Sequence, residues 1–393
     1  MKKILMISQS VFPPDIRLEK EIRSLSRVGF KIAVLCNQYN KENNWDFPFC
    51  EIYRIGAIFK SIKMNRIINF PLFLNPRYLF AMLKLMIVFR PDYIHGHDLP
   101  MAPLAIIYGK LFGKRIIFDM HENYPQALKS FDKKGLLNFV FKNYHFALFL
   151  EKFIIRTVDY IIVVIDENRD RLIKQGVSPD RIILVSNTYD IECYSLDCEN
   201  LQAKELYRNR FLIIYTGGVS PERDLDTPIK SLNELKKIIP ELILLIIGDG
   251  PSVLSLKQLS EKLKVQEFVK FIPWPGDRAT AGYIGIADIL IVPHPFNDFI
   301  NTTIPHKLFE YMYNSKPVLV SDAIPLKRII NETHAGEVFK SNDPHDFAQR
   351  IIQIKVAKFP YGFNGRKAVE NKYNWENDSR NLINLYTKLE NNG

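Results

Sequence analysis

The chain alternates short apolar runs with amphipathic stretches from its first residues. Residues 4–7 and 32–35 are apolar runs of strand length, and residues 17–28 between them have helical periodicity that ends at Gly29. This pattern predicts a strand–helix–strand unit. Further strand-like runs occur at 93–95, 115–119, 160–164 and 182–185. Their order, with amphipathic stretches between them, predicts one doubly wound α/β domain.

A second series of buried runs follows a polar stretch. The runs lie at 211–216, 242–247, 269–272, 289–292 and 318–320. With amphipathic segments between them, they predict another parallel sheet with crossover helices. The predicted organisation is an N-terminal Rossmann-like domain (1–190), a linker (191–210), a C-terminal Rossmann-like domain (211–372) and a terminal helix (373–393).

Composition narrows the classes of function. Of the 393 residues, 47% are hydrophobic and 24% are charged, which is typical of a folded globular protein and not of a disordered one. The chain has 53 Lys and Arg against 43 Asp and Glu, a net charge of +10. This excess favours an anionic partner: nucleic acid, an acidic membrane surface or a phosphorylated substrate. The cysteines lack metal-binding spacing, so neither a zinc site nor a disulfide framework is indicated.

The apolar run at the N-terminus is too short for the core of a signal peptide and has no small-residue cleavage site after it. No uncharged apolar run approaches the ~20 residues that a membrane-spanning helix needs. We therefore expect a cytoplasmic protein, attached at most to a membrane face.

A lysine and a glutamate stand three residues apart on a short predicted helix that leads into a buried strand. Lys307 and Glu310 share one face of this helix, while Leu308 and Tyr311 can pack inward. A glutamate can accept two hydrogen bonds from a ribose diol, and a lysine near a helix N-terminus can bind phosphate. The pair therefore indicates a nucleotide-sugar pocket. A solvated surface ion pair is the alternative.

Two glycines follow the first strand of the second series. Gly217 and Gly218 allow backbone N–H groups to approach an oxyanion, and Arg223 offers a guanidinium that can bind a phosphate in a bidentate manner. A plain tight turn is the alternative for the glycine pair.

Polar side chains also gather at the end of the 115–119 strand. Asp119 and His121 point to the same side of an extended chain, and Glu122 follows them. The carboxyl ends of parallel strands are where open sheets bind ligands. These residues also resemble part of a metal site, but no third ligand-rich segment accompanies them, so we expect no metal. A structural strand-end histidine remains the alternative for His121. His95 and His97 could line the same cleft, but we expect them to pack behind the site.

Residues 57–91 contain no acidic side chain, and their cations alternate with large apolar residues. Lys60, Lys63 and Arg66 belong to this stretch. Such a segment can lie on an anionic bilayer, with apolar side chains inserted and cations at the lipid phosphates. A buried helix with basic ends is the alternative.

The segment 305–312, with Lys-Pro-Val at 316–318, resembles the donor-site motif of the retaining family 4 glycosyltransferases, which have two facing Rossmann-like domains (the GT-B fold). The resemblance implies that Arg223 and Lys307 grip a diphosphate and that Glu310 holds the ribose. Donor-binding positions are also implied for Gly217, Gly218, Pro273, Trp274, Thr302 and Thr303. Thr302 departs from the family, which has a glutamate there, and Trp274 could instead be a core residue.

The same resemblance implies roles for the first domain. His121 corresponds to a histidine near the transferring sugar, and Asp15, Arg17, Asp119 and Glu122 to the acceptor side. A helix cap explains Asp15 almost equally well. The terminal helix is expected to pack on the N-terminal domain.

The expected activity is retaining transfer from a nucleotide-diphosphate sugar, taken as a UDP-sugar, to a lipid-linked or polysaccharide acceptor of a bacterial surface glycan. Expected partners are the donor, this acceptor and an anionic membrane at 57–91, with no nucleic acid and no cofactor. A sugar-nucleotide 2-epimerase and a non-catalytic membrane-associated subunit remain alternatives.

Overall fold

The computed structural model describes residues 1–38, 45–57, 59, 61, 64–65, 76–130, 143–194 and 200–391. They form two compact units, one of residues 1–186 with 378–393 and one of residues 187–377. Lys60, Lys63 and Arg66, to which we assigned membrane contact, lie outside the described residues.

The first unit contains a parallel sheet. Its strands, in the described residues, are β1 (Lys3–Val11), β2 (Lys31–Gln38), β3 (Glu51–Gly56), β4 (Tyr93–His97), β5 (Arg115–Met120), β6 (Tyr160–Val163) and β7 (Ile182–Leu184). Their order across the sheet is β3-β2-β1-β4-β5-β6-β7. The direction of strand addition reverses between β1 and β4. Parallel sheets bind ligands outside the carboxyl ends of the strands at such a reversal.

Helices cover this sheet. They are α1 (Ile16–Arg27), α2 (Pro76–Val88), α3 (Ala102–Leu111), α4 (Tyr124–Ser130), α5 (Tyr144–Thr157) and α6 (Asp166–Lys174). Helix α1 begins where the carboxylate of Asp15 accepts a hydrogen bond from the N–H of Leu18. Apolar residues of α2, α3 and α5 pack into one core with the strands.

The second unit repeats the architecture. Its strands are β8 (Phe211–Thr216), β9 (Leu242–Ile247), β10 (Val269–Ile272), β11 (Ile289–Val292), β12 (Val318–Ser321) and β13 (Gly336–Phe339). They are parallel, in the order β10-β9-β8-β11-β12-β13. All residues of β8, β9, β11 and β12 are buried, as expected for strands with helices on both faces.

Ten helices of the described chain begin in this unit. They are α7 (Ile191–Tyr194), α8 (Leu201–Leu206), α9 (Asp226–Ile238), α10 (Val253–Lys262), α11 (Asp277–Ile286), α12 (Lys307–Tyr313), α13 (Ile324–Thr333), α14 (Pro344–Val356), α15 (Tyr361–Asn371) and α16 (Trp375–Asn391). The sequence predicted a linker over 191–210, but its described residues belong to this unit. Asn200 caps α8, Ala203 is buried, and α8 contacts α11, so residues 200–206 are packed against this unit.

From Asp378 onward, the terminal helix belongs to the first unit. Leu382 and Tyr386 are buried, and the ring of Tyr386 lies 5.4 Å from that of Phe30. The Tyr386 hydroxyl is 2.9 Å from Nδ1 of His95 in β4. Among the described residues, no helix is both long enough and apolar enough to cross a bilayer.

Candidate active site

A buried cluster of charged residues lies at the carboxyl ends of β4 and β5 in the first unit. Strand β5 supplies Asp119 and leads to His121, strand β4 supplies His97, and α1 supplies Arg17 and Glu21. The carboxylates of Asp119 and Glu21 are fully buried, whereas the side chain of His121 keeps 20% of its exposure. His121 is therefore the member of these five that reaches the surface.

Arg17 is held inside this cluster. Its Nη2 donates to both carboxylate oxygens of Asp119 at 3.1 Å, and its Nη1 donates to the carbonyl of Val185 at 3.1 Å. Its Nε lies 3.1 Å from a carboxylate oxygen of Glu21. Arg17 and Asp119, which we predicted on the acceptor side, thus use their charged groups on each other. In this arrangement they position His121 and do not line a surface.

Two acidic neighbours keep His121 protonated. Its Nε2 is 2.9 Å from Asp119, and its Nδ1 is 3.7 Å from Asp98. Burial alone would lower the pKa of His121, but the two carboxylates raise it to about 9. Burial alone would raise the pKa of Asp119, and Arg17 and His121 instead hold it well below its usual value. At neutral pH the site therefore presents an imidazolium that can stabilise developing negative charge.

Sequence reasoning missed Glu21 and assigned His97 to packing alone. The ligand atoms of Glu21, His97, Asp119 and His121 lie within 4.8 Å of one another, so these four described residues could hold a metal ion. However, the guanidinium of Arg17 already lies 3.1 Å from an oxygen of each of the two carboxyl groups, where it competes with a metal ion. Burial, then the charge of Asp119, raises the pKa of Glu21 well above its usual value.

The other predicted acceptor residues differ in exposure. Asp15 is half-buried, and it caps α1, which is the alternative role that we gave for this residue. Glu122 is exposed beside His121 and can contact a bound molecule.

In the second unit, Lys307 lies against the glycine loop that follows β8. Its ammonium donates to the carbonyl of Thr216 at 2.5 Å and sits 4.0 Å from the ring centroid of Tyr215. Gly217 has φ +113°, and a Cβ there would lie 2.8 Å from Nζ of Lys307. Only glycine fits this close approach without strain. Gly218 has open space around it, so a ligand can approach its backbone.

Lys307 shares its surroundings with Arg223, the last residue of a short 3-10 turn (Pro221–Arg223). Burial, and then the positive charge of Arg223, lowers the pKa of Lys307 well below its usual value. Two cations with unfavourable mutual electrostatics gain most when an anion comes between them. An anion could therefore bind between these two side chains, near the carboxyl end of β8.

Glu310 lies one turn along α12 from Lys307. The ammonium of Lys307 donates to the carbonyl of Thr216 and forms no ion pair with Glu310. Burial raises the pKa of Glu310 to about 7, although Lys307 acts in the opposite direction. The solvated ion pair considered as an alternative is therefore not what these two described residues form. Glu310 is available to accept hydrogen bonds from a ligand.

His294, two residues beyond β11, was not predicted from sequence. It is 1% exposed, and neither ring nitrogen has a hydrogen-bond partner among the described residues. Burial, followed by the charges of Arg223 and Lys307, lowers its pKa well below the usual value. A neutral imidazole beside two cations can donate one hydrogen bond to an anion. Its signal in the sequence was the same as for His121: a histidine at the end of a buried strand.

The remaining donor-site predictions fall at the surface or in a turn. Pro273 and Trp274 follow β10 and are exposed, so Trp274 is not the core residue of the alternative interpretation. The backbone N–H of Trp274 donates to the carboxylate of Asp249 at 3.1 Å, and the exposed indole ring is available for stacking. The hydroxyl of Thr302 donates to the carbonyl of Asp298 at 2.9 Å and so stabilises its own turn. Thr303 follows that turn and is half-buried.

Family comparisons match both halves of the chain. The family described as "Glycosyltransferase Family 4" matches residues 18–192, and the family described as "Glycosyl transferases group 1" matches residues 198–358. A curated relative from Methanocaldococcus jannaschii, named an uncharacterized glycosyltransferase, is 20% identical over 297 residues, covering 73% of this chain and 72% of that protein.

Solved structures share the fold over the full length. Sucrose-phosphate synthase from Thermosynechococcus elongatus has a TM-score of 0.81 at 16% identity and covers 100% of both chains. HepE of Anabaena, solved in complex with UDP and glucose, has a TM-score of 0.71 at 16% identity, covering 99% of this chain and 100% of that one.

Proposed function

The chain belongs to the family 4 glycosyltransferases with the GT-B fold, and we propose that it transfers a sugar, with retention of configuration, from a nucleotide-diphosphate donor. The observation that carries this proposal is the set of residues at the carboxyl ends of β8 and β11. Arg223 and Lys307 supply cations, His294 a neutral donor and Glu310 a half-buried acceptor. These groups match a diphosphate and the ribose attached to it.

The proposed mechanism places the leaving diphosphate on Arg223 and Lys307. Charge on the diphosphate grows as the glycosidic bond breaks, so cations held in a poorly solvated site stabilise the transition state more than the ground state. The acceptor hydroxyl attacks on the face that the diphosphate leaves and gives its proton to it. We assign no side chain as a covalent nucleophile, and no metal takes part.

For the first unit, we propose that His121 acts on the transferring sugar. The imidazolium is fixed by Asp119 and Asp98, and Arg17 fixes Asp119 in turn. A group held in this manner contributes by orienting a hydroxyl group of the sugar, to which its N–H groups can donate hydrogen bonds. Glu122, exposed next to His121, is proposed to contact the acceptor.

The proposed donor is a UDP-sugar of the hexosyl or N-acetylhexosaminyl type, and HepE of Anabaena, which shares the fold, was solved with UDP and glucose. The proposed acceptor is a lipid-linked or polysaccharide chain of a bacterial surface glycan. The basic, acid-free stretch 57–91 supports action at the inner face of an anionic membrane.

Titration calorimetry with UDP, GDP, ADP and CDP tests the donor proposal. We expect one of them, UDP first, to bind wild type and to bind Lys307→Met at least tenfold more weakly. Lys262→Met is the matched control, because Lys262 is exposed on α10. Equal binding by wild type and Lys307→Met, or binding of none of the four, would contradict the proposal.

A further inference from the structure

Three neighbouring helices of the first unit turn large apolar side chains toward solvent. Helix α3 contacts both α2 and α5, and the inner sides of all three join the same core. We define their outward apolar residues as the three-helix face: Phe80, Leu83, Ile87, Val88, Ile107, Leu111, Phe146, Phe149 and Phe153.

The side chains of this face are exposed to an unusual degree. Phe80 is 72% exposed, Leu111 71% and Phe149 67%. On α5, Phe146, Phe149 and Phe153 follow the spacing of one helical stripe, opposite the buried residues of that helix. Single exposed apolar residues are ordinary, but a contiguous group on packed helices marks an interaction site.

The charged side chains that these three helices expose all have one sign. Exposed cations on the three helices are Arg77, Lys84, Lys110, Lys152 and Arg156. The single acidic residue in these helices is Glu151, which is buried and bound by Arg171 at 2.6 Å. Long basic side chains beside apolar ridges can keep their charges at a polar boundary while the ridges enter an apolar phase.

We propose that the three-helix face docks on the surface of an anionic lipid bilayer, with the α5 phenylalanines inserted and the cations at lipid phosphates. The charge pattern favours this occupant over a second copy of the chain, because a symmetric contact would bring the same basic residues together. The inference deepens the proposed function and rests on it for its biological role, since a lipid-linked acceptor is presented at such a surface. It adds α3 and α5 to the segment predicted from sequence.

Vesicle co-sedimentation of the full chain tests the face directly. Wild type is expected to bind vesicles of phosphatidylglycerol and phosphatidylcholine, and to bind pure phosphatidylcholine at least tenfold more weakly. Phe149→Ser with Phe153→Ser should reduce binding to the anionic vesicles at least tenfold. Phe363→Ser is the matched control, because Phe363 is 66% exposed on α15 of the other unit, and it should bind as wild type does.

A charge-reversal pair separates the electrostatic contribution. Lys110→Glu with Lys152→Glu should weaken binding and remove its dependence on anionic lipid, whereas Lys237→Glu with Lys262→Glu in the second unit should not. Circular dichroism and thermal unfolding, measured on every variant, show whether each one is folded. UDP binding, measured separately, keeps failure of the donor proposal distinct from failure of this one. Wild type that ignores anionic vesicles, or unchanged binding by both face variants, would overturn the inference. The inference would also be overturned if wild type formed a concentration-dependent dimer that Phe149→Ser with Phe153→Ser abolishes.

Discussion

Replacing Glu310 with Gln should weaken UDP binding much more at pH 8 than at pH 6. The pKa of Glu310 is raised to about 7, so the carboxylate is the form that exists at higher pH. About nine-tenths of it is ionised at pH 8 and about one-tenth at pH 6. Hydrogen bonds to a charged group contribute about 1.5–3 kcal/mol, so the variant should bind about 10- to 100-fold more weakly at pH 8.

At pH 6 most wild-type molecules carry a neutral carboxyl, so the ratio of the two affinities should shrink by about tenfold. The assay is titration calorimetry with UDP at both pH values. The phosphate of UDP also titrates near pH 6, but it does so identically with both proteins and cancels in their ratio. Glu261→Gln, on the exposed surface of α10, is the control and should match wild type. The same affinity ratio at both pH values would refute a direct contact between Glu310 and the nucleotide.

Three further predictions concern two residues of the first unit and one residue proposed to bind the diphosphate. His121→Ala should lower the initial rate of transfer by about 10²-fold with UDP affinity unchanged, and a near-normal rate would make His121 structural. Arg223→Ala should lower kcat more than it raises KM, and an effect on KM alone would indicate a passive clamp. Arg17→Met should lower the free energy of unfolding in urea by about 3–5 kcal/mol, because it removes the cation between two buried carboxyl groups: Glu21 loses its guanidinium contact, and Asp119 keeps its bond to His121. A loss below about 1 kcal/mol would show that water or protonation compensates.

The fold followed from local patterns, and the prediction of two Rossmann-like units is confirmed. The runs 4–7 and 32–35 lie in adjacent strands, and so do the runs 211–216 and 242–247. A short uninterrupted apolar run is typical of a strand that is buried on both faces of a parallel sheet, which is why the sequence indicated these strands. The family resemblance is confirmed as well. The polar stretch after residue 190 was harder to interpret, because its ordering depends on contacts with α11, far along the chain.

The contacts of the site could not be predicted in the same way. Arg17 binds Asp119, which is 102 residues away, and a charge in the sequence does not identify its partner. The family resemblance assigned both residues to the acceptor side, and it gave no sign that they form a buried ion pair with each other. His294 could have been found by the rule that led to His121, since both follow a buried strand. The exposure of Trp274 could not be predicted from the sequence, because the packing of a residue at a strand end depends on the loops around it.

The most direct test of the central claim is product analysis with nucleotide sugars. Wild type is incubated with a panel of them and a lipid-linked acceptor, and the products are examined by NMR spectroscopy. We predict that one donor releases its nucleoside diphosphate while its sugar joins the acceptor with the same anomeric configuration, and that Lys307→Met loses this activity. A sugar with its configuration inverted at the anomeric carbon, a nucleotide sugar isomerised at C2 without transfer, or no turnover of any donor would contradict it.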